Sequence, residues 1–161
     1  MVFRIAAVIV LVVGLCMVST AWADELDFSK AVVIGSGPKT VVEFTDPDCP
    51  FCRQASKYFD GRKDVTRYVF FFPLPRHPKA REKARYILSH QDKPRAYHEV
   101  MSGRLDGQRS FAVTPRGIKL QEEQMEIAKK AKVDSTPTFM IFGRVIIGFD
   151  QKRIEEALGP K

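Results

Sequence analysis

The sequence predicts an α/β fold: a central mixed sheet flanked by helices, with a helical insertion. Three observations predict it. Thr40–Thr45 and Val65–Phe72 are short runs rich in Val, Phe and Tyr, typical of buried strands, and a helix-like stretch from Phe51 to Gly61 separates them. Such a strand, helix, strand succession implies a right-handed crossover and parallel pairing. Near the end of the chain, Thr138–Phe142 and Val145–Phe149 flank Gly143-Arg144, as in an antiparallel hairpin with a two-residue turn, so the sheet is mixed. Between the second core strand and a later helix lie two more helical stretches, which define an insertion at about 76–117.

The chain has 161 residues, enough for one domain with a sizeable core. Its first 23 residues read as a cleaved secretory signal rather than as part of that core. Arg4 supplies a positive start, Ile5–Val13 is unbroken apolar sequence, and Ala21-Trp22-Ala23 is a small-x-small cleavage site followed by polar Asp24-Glu25. The competing reading is an uncleaved membrane anchor, because the apolar stretch to Val18 approaches spanning length. Cys16 follows Leu15, where a lipoprotein signal wants a small residue, and it leaves with the signal. The domain is then 24–161, with Cys49 and Cys52 its only cysteines. One close pair in an exported chain fits a redox catalyst better than a disulfide-stapled scaffold. No second apolar run is long enough to span a membrane. The net charge is +7, with Lys and Arg scattered over 76–95 and 104–132 as on solvated helix faces. Nucleic acid binding would need a clustered patch and is not expected.

In order, Asp24–Ser29 is a polar lead-in, Lys30–Ile34 a strand, and Gly35-Ser36-Gly37-Pro38 a turn. Thr40–Thr45 is the first core strand, and Asp46-Pro47-Asp48 leads from it to the cysteines. The first helix stops at Gly61. After the Val65–Phe72 strand, Pro73, Pro75 and Pro78 stiffen the exit. Helices follow at about Pro78–His90 and Lys93–Met101, with Asp92-Lys93-Pro94 marking the break between them. Ala80, Ala84, Ile87 and Leu88, then Ala96, Tyr97, Val100 and Met101, form their inward faces. Gly103–Gly117 reads as a loop, and Lys119–Lys132 as a helix with Leu120, Ile127, Ala128 and Ala131 on one side. Gln151–Leu158 closes the chain as an amphipathic helix, capped by Asp150 and stopped by Gly159-Pro160.

The chemistry centres on Cys49-Pro50-Phe51-Cys52. With Cys49 as the helix cap, Pro50 takes the first helical position, where its missing N–H costs nothing. The Cys49 sulfur then meets free backbone N–H groups and the positive end of the helix dipole, which favour the thiolate, the form that attacks disulfides. Cys52, one turn on, can close a disulfide with it and release a bound partner. Half a zinc site is the alternative, but it needs two further Cys or His ligands, and His77, His90 and His98 show no paired spacing. A structural disulfide closing so small a loop would restrict the unfolded chain little. Strand, Cys-x-x-Cys, helix is the thioredoxin-type redox arrangement.

Thr136-Pro137 precedes a core strand. A trans proline would simply open that strand. A cis proline would fold the loop against the cysteines and present the Thr136 backbone to a substrate chain for strand-to-strand pairing. Glu43, inside an apolar strand six residues before Cys49, is a candidate for proton transfer with Cys52 if it points beneath the pair, where desolvation would favour its neutral form. The alternative is a surface-facing edge glutamate.

These residues resemble the thioredoxin superfamily, and within it the bacterial periplasmic DsbC/DsbG type of thiol:disulfide interchange protein. The resemblance is carried by Phe44-Thr45-Asp46, Cys49-Pro50-Phe51-Cys52, Phe72-Pro73, Asp92 to Gly103 as a helical insert, Thr136-Pro137, and the closing hairpin and helix. It spans about Lys30 to Leu158 and implies a thioredoxin-like fold. It implies Cys49 as nucleophile, Cys52 as resolving thiol, and Thr136 and Pro137, with Pro50 and Phe51, as the substrate-binding surface. The isomerases of this type carry an N-terminal dimerisation domain, whereas only Asp24–Ser29 precedes the first strand here; they often hold a second disulfide beginning near the position of Ser89; and Glu43 resembles the buried acid of thioredoxin and of the oxidase DsbA.

The expectation is an exported, periplasmic, monomeric thiol:disulfide oxidoreductase that needs no cofactor or metal, acts on client proteins with disulfides, and is recycled by a membrane redox partner. Pro50-Phe51 lacks the histidine that would add positive charge beside Cys49, which favours a reductase or isomerase-like role over a strong oxidase. The alternatives are a dedicated reductant for cytochrome c maturation, and a non-catalytic chaperone or metal carrier using a cleft lined by Phe51, Phe72 and Pro137.

Overall fold

The computed structural model describes residues 26–160. The expected signal peptide and Cys16 lie outside them. Five strands form one mixed sheet: β1 (Val32–Ile34), β2 (Lys39–Thr45), β3 (Val65–Phe71), β4 (Thr138–Ile141) and β5 (Arg144–Ile147), in the spatial order β1-β3-β2-β4-β5. The central pair, β2 and β3, is parallel, as the crossover rule requires, with Glu43 opposite Val69 and Thr45 opposite Phe71. The other three pairings are antiparallel. A 3-10 turn, Phe28–Lys30, occupies the start of what reads in sequence as the first strand; Asp27 caps it by accepting from the Ser29 N–H.

Strand alternation divides the core. On one face, Val41 packs with Ala55 and Phe59 of α1 (Pro50–Asp60) and with Ile154 and Leu158 of α5 (Gln151–Leu158). Val69 and Phe71 continue this face against Cys49, Cys52, and Ala96, Tyr97 and Val100 of α3 (Lys93–Met101). On the other face, Val42, Phe44 and Phe70 pack against Ile127 and Ala128 of α4 (Pro115–Lys130). The helix α2 (Ala80–Ser89) lies against α4 and α3.

The structure moves several boundaries. The helix expected from Lys119 begins at Pro115, because Thr114 caps it by accepting from the Gly117 N–H and Pro115 sits at its first position. It stops at Lys130, two residues early: Lys132 turns left-handed (φ 56°), and the Val133 N–H donates back to the Ala128 carbonyl. Gly117 allows α4 to approach α2 closely, since a Cβ there would lie 2.0 Å from Ser89 Oγ and 2.9 Å from the Arg85 carbonyl oxygen. The hairpin turn is Phe142-Gly143 rather than Gly143-Arg144. Both residues have positive φ (46° and 78°), as the strand twist demands of a two-residue connection, and the strand begins at Arg144.

Candidate active site

Cys49 caps α1, with Pro50 at the first helical position. Both cysteines are reduced and buried, Cys49 at 2 % exposure and Cys52 at 0 %, whereas Phe51 stands 56 % exposed at the surface beside them. Their environments push the two thiols in opposite directions. The Cys49 thiol falls from 9.0 to about 5, chiefly because the Cys52 S–H donates to it, with help from the backbone N–H groups of Cys52 and Phe51 at the helix start. Burial works against this and is outweighed. Burial dominates at Cys52 and drives its thiol far up; its bond to Cys49 raises it further, while the Thr45 side chain and the Asp46 N–H oppose the rise. The pair therefore holds one thiolate and one thiol near neutral pH.

The Thr136–Pro137 bond is cis, and both residues are buried. This loop comes back against the cysteines: the Cys49 thiol donates to the Thr136 carbonyl oxygen across 3.5 Å. Once ionised, the sulfur has no proton to give, so that contact belongs to the thiol form alone, and the helix N–H groups and Cys52 hold the thiolate. The Pro137 carbonyl oxygen accepts from the Gly148 N–H at 2.8 Å, which ties the loop to the end of β5.

Glu43 is fully buried on the α1 face of β2, which removes the surface-edge alternative. Its Oε2 accepts from Arg67 Nη1 at 2.9 Å, and the same guanidinium nitrogen donates to the Tyr97 hydroxyl at 2.9 Å and lies over the rings of Phe59 and Tyr97. Arg67 is two places along β3 from Val69 and so shares Glu43's side of the sheet. Glu43 Oε1 is buried without a hydrogen-bond partner.

Sequence reasoning missed the residues that brace the loop before Cys49. Asp46 is buried and accepts from the N–H groups of Asp48, Cys49 and Leu74 and from His77 Nδ1. Asp48 accepts from Arg53 and Lys83, and Asp106 from the same two cations, which pins the insertion to the active-site loop. The clue in sequence was Asp46 and Asp48 bracketing Pro47, a pattern of local side-chain to backbone bonding. Their distant partners carried no such signal.

A family model described as a thioredoxin-like domain matches residues 26–149. A probable thiol:disulfide interchange protein DsbC of Bordetella avium is 30 % identical over 113 residues, which is 70 % of this chain and 39 % of that protein. This chain thus spans well under half the length of that relative. Among solved structures, a disulfide interchange protein from Neisseria gonorrhoeae is 27 % identical with a TM-score of 0.71, covering 83 % of this chain and 96 % of that one. A thioredoxin-like oxidoreductase from Silicibacter pomeroyi is 26 % identical with a TM-score of 0.64, covering 83 % and 94 %. By the family match, the sheet order and the helix-capping cysteine pair together, this chain belongs to the thioredoxin-like domain family.

Proposed function

We propose that the protein is an exported, periplasmic thiol:disulfide oxidoreductase acting on disulfides of client proteins, in the reducing or isomerising direction. The observation that most supports dithiol exchange is the divided acidity of the pair, a Cys49 thiolate beside a Cys52 thiol at the head of α1, whereas the reducing or isomerising direction rests on Pro50-Phe51, which places no histidine beside Cys49. The Cys49 thiolate attacks one sulfur of a client disulfide; that S–S bond breaks, and the departing client sulfur leaves as a thiolate and takes up a proton. Cys52 then loses its proton and attacks Cys49 in the mixed disulfide. The client leaves with two more electrons, and Cys49–Cys52 becomes the oxidised product. No cofactor is consumed.

Proton transfer from Cys52 is assigned to Glu43, whose buried Oε1 has no hydrogen-bond partner and is free to take a proton. Thr136 and Pro137 form the wall along which the client backbone lies, and Pro50 with the exposed Phe51 meets its side chains. A membrane redox partner returns the pair to the dithiol, and the protein acts as a monomer. Among the described residues no helix is long and apolar enough to cross a membrane.

Insulin reduction with dithiothreitol as the recycling reductant tests the reading. Cys49→Ser abolishes turnover, and Cys52→Ser accumulates mixed disulfides with clients. Wild-type turnover in the Cys49→Ser protein would end the proposal. Clients trapped by Cys52→Ser separate a general catalyst, with many partners, from a dedicated reductant with one.

A further inference from the structure

We propose that His77 and Asp46 form a positioning pair that sets the acidity of the Cys49–Cys52 dithiol, an inference that rests on the dithiol reading above. Asp46 hydrogen-bonds to both cysteines through separate groups. Its Oδ1 accepts from the Cys49 N–H at 3.2 Å, its carbonyl oxygen accepts from the same N–H at 3.1 Å, and its own N–H donates to Cys52 Sγ at 3.4 Å. The carboxylate is wholly buried at the end of β2.

A buried negative charge at this place opposes a second one on Cys49. Four donors draw on it: the N–H groups of Asp48 (2.7 Å) and Cys49 on Oδ1, and the Leu74 N–H (2.7 Å) and His77 Nδ1 (2.8 Å) on Oδ2. A carboxylate only accepts, so His77 Nδ1 carries the hydrogen. Of the four donors His77 is the only side chain, and its ring is 17 % exposed, with one edge on the carboxylate. The neighbouring charges of this corner largely compensate one another: Asp48 and Asp106 are paired with Arg53 and Lys83, and Arg53 also feels the Asp46 charge, though without a hydrogen bond to it. His77 is therefore the adjustable term, and by drawing off the carboxylate's charge it lets the adjacent sulfur ionise.

The two members then have opposite effects. His77→Ala leaves the carboxylate less compensated and moves the Cys49 alkylation midpoint up by about 0.5 to 1 pH unit. Asp46→Asn removes the charge while its Oδ1 still accepts from the Cys49 N–H, and moves the midpoint down. His77→Gln keeps a donor and returns the midpoint towards wild type. The double variant follows Asp46→Asn, since His77 then has no charge to draw off.

The experiment measures iodoacetamide alkylation of Cys49 against pH on the full domain, with thermal unfolding recorded in parallel. A bracing role alone lowers thermal stability in both single variants and moves the two midpoints alike or not at all; either result overturns the proposal. If Asp46→Asn does not fold, the contrast between His77→Ala and His77→Gln decides. Failure here is distinct from failure of the dithiol reading. An ordinary wild-type midpoint sinks both, whereas an acidic wild-type midpoint with variants that do not diverge sinks the pair alone.

Discussion

Replacing Cys52 by alanine perturbs Cys49 most directly, because the Cys52 S–H is the leading cause of the low Cys49 pKa. With Cys49 at about 5, about 99 % of it is thiolate at pH 7, against about 1 % for a thiol at the ordinary 9.0. Wild-type alkylation at Cys49 therefore reaches half its plateau near pH 5 and is flat from pH 7 upward, whereas an unperturbed thiol gains about tenfold per pH unit up to about pH 8 and levels off only above about 9. A hydrogen bond to a charged group contributes about 1.5–3 kcal/mol, and about 1.4 kcal/mol corresponds to one pH unit. Cys52→Ala thus raises the midpoint by about one to two units, to between about 6 and 7. Cys52→Ser retains an O–H donor and shifts it less. Stopped-flow alkylation across pH 4–9, monitored by mass, reads this directly. A Cys52→Ala profile that superimposes on the wild type would show that the helix start alone holds the thiolate and that the donation from Cys52 is immaterial.

Three further outcomes are expected. Because the Cys49 pKa is depressed in the folded protein, ionisation stabilises the reduced form fully above the unfolded-state thiol pKa and is lost as pH falls towards 5; reduced protein therefore loses up to about 1.4 kcal/mol per pH unit over that window, a ceiling that solvent screening lowers, while oxidised protein does not, as paired urea titrations would show. Arg67→Met strands the Glu43 carboxylate in the core and costs about 3–5 kcal/mol in urea unfolding, whereas Glu43→Gln keeps an acceptor, costs less, and slows resolution of the mixed disulfide by Cys52 without shifting the Cys49 alkylation midpoint. Gly117→Ala forces α4 off α2, because two of the atoms its Cβ would meet, the Ser89 nitrogen at 2.8 Å and the Arg85 carbonyl oxygen, are backbone; thermal unfolding should report a loss of about 1–3 kcal/mol.

What the sequence made legible was local. The cap at Cys49 with Pro50, the crossover from β2 to β3, the break at Asp92-Lys93-Pro94 and the Asp150 cap each depend on residues within a few places of one another, and the structure has them where the pattern put them. The errors were local too. Thr114-Pro115 is itself a helix-start signature, but it lay within a stretch broken by glycines and so read as loop. The hairpin turn slipped by one residue because phenylalanine is a poor candidate for positive φ, yet Gly143 alone cannot supply both left-handed positions that the turn needs.

The charged interior was illegible for a different reason. Alternation along an apolar strand left the direction of Glu43 open, because Val42 and Phe44 are buried as well, and it is silent about what stands opposite. Arg67 lies 24 positions away in sequence, Tyr97 contributes from an inserted helix, and His77 reaches Asp46 across 31 positions. Each pairing exists only because β2 and β3 run parallel in one register and the insertion folds back over them. Slipping that register by one residue would turn Arg67 to the α4 face and leave Glu43 without its counter-charge. The ion pair thus penalises the wrong register as well as filling space between the sheet, Phe59 and Tyr97. A fold that must deliver one sulfur to the head of α1 gains from that penalty, since the same register sets where β2 ends and hence where Asp46 and Cys49 begin.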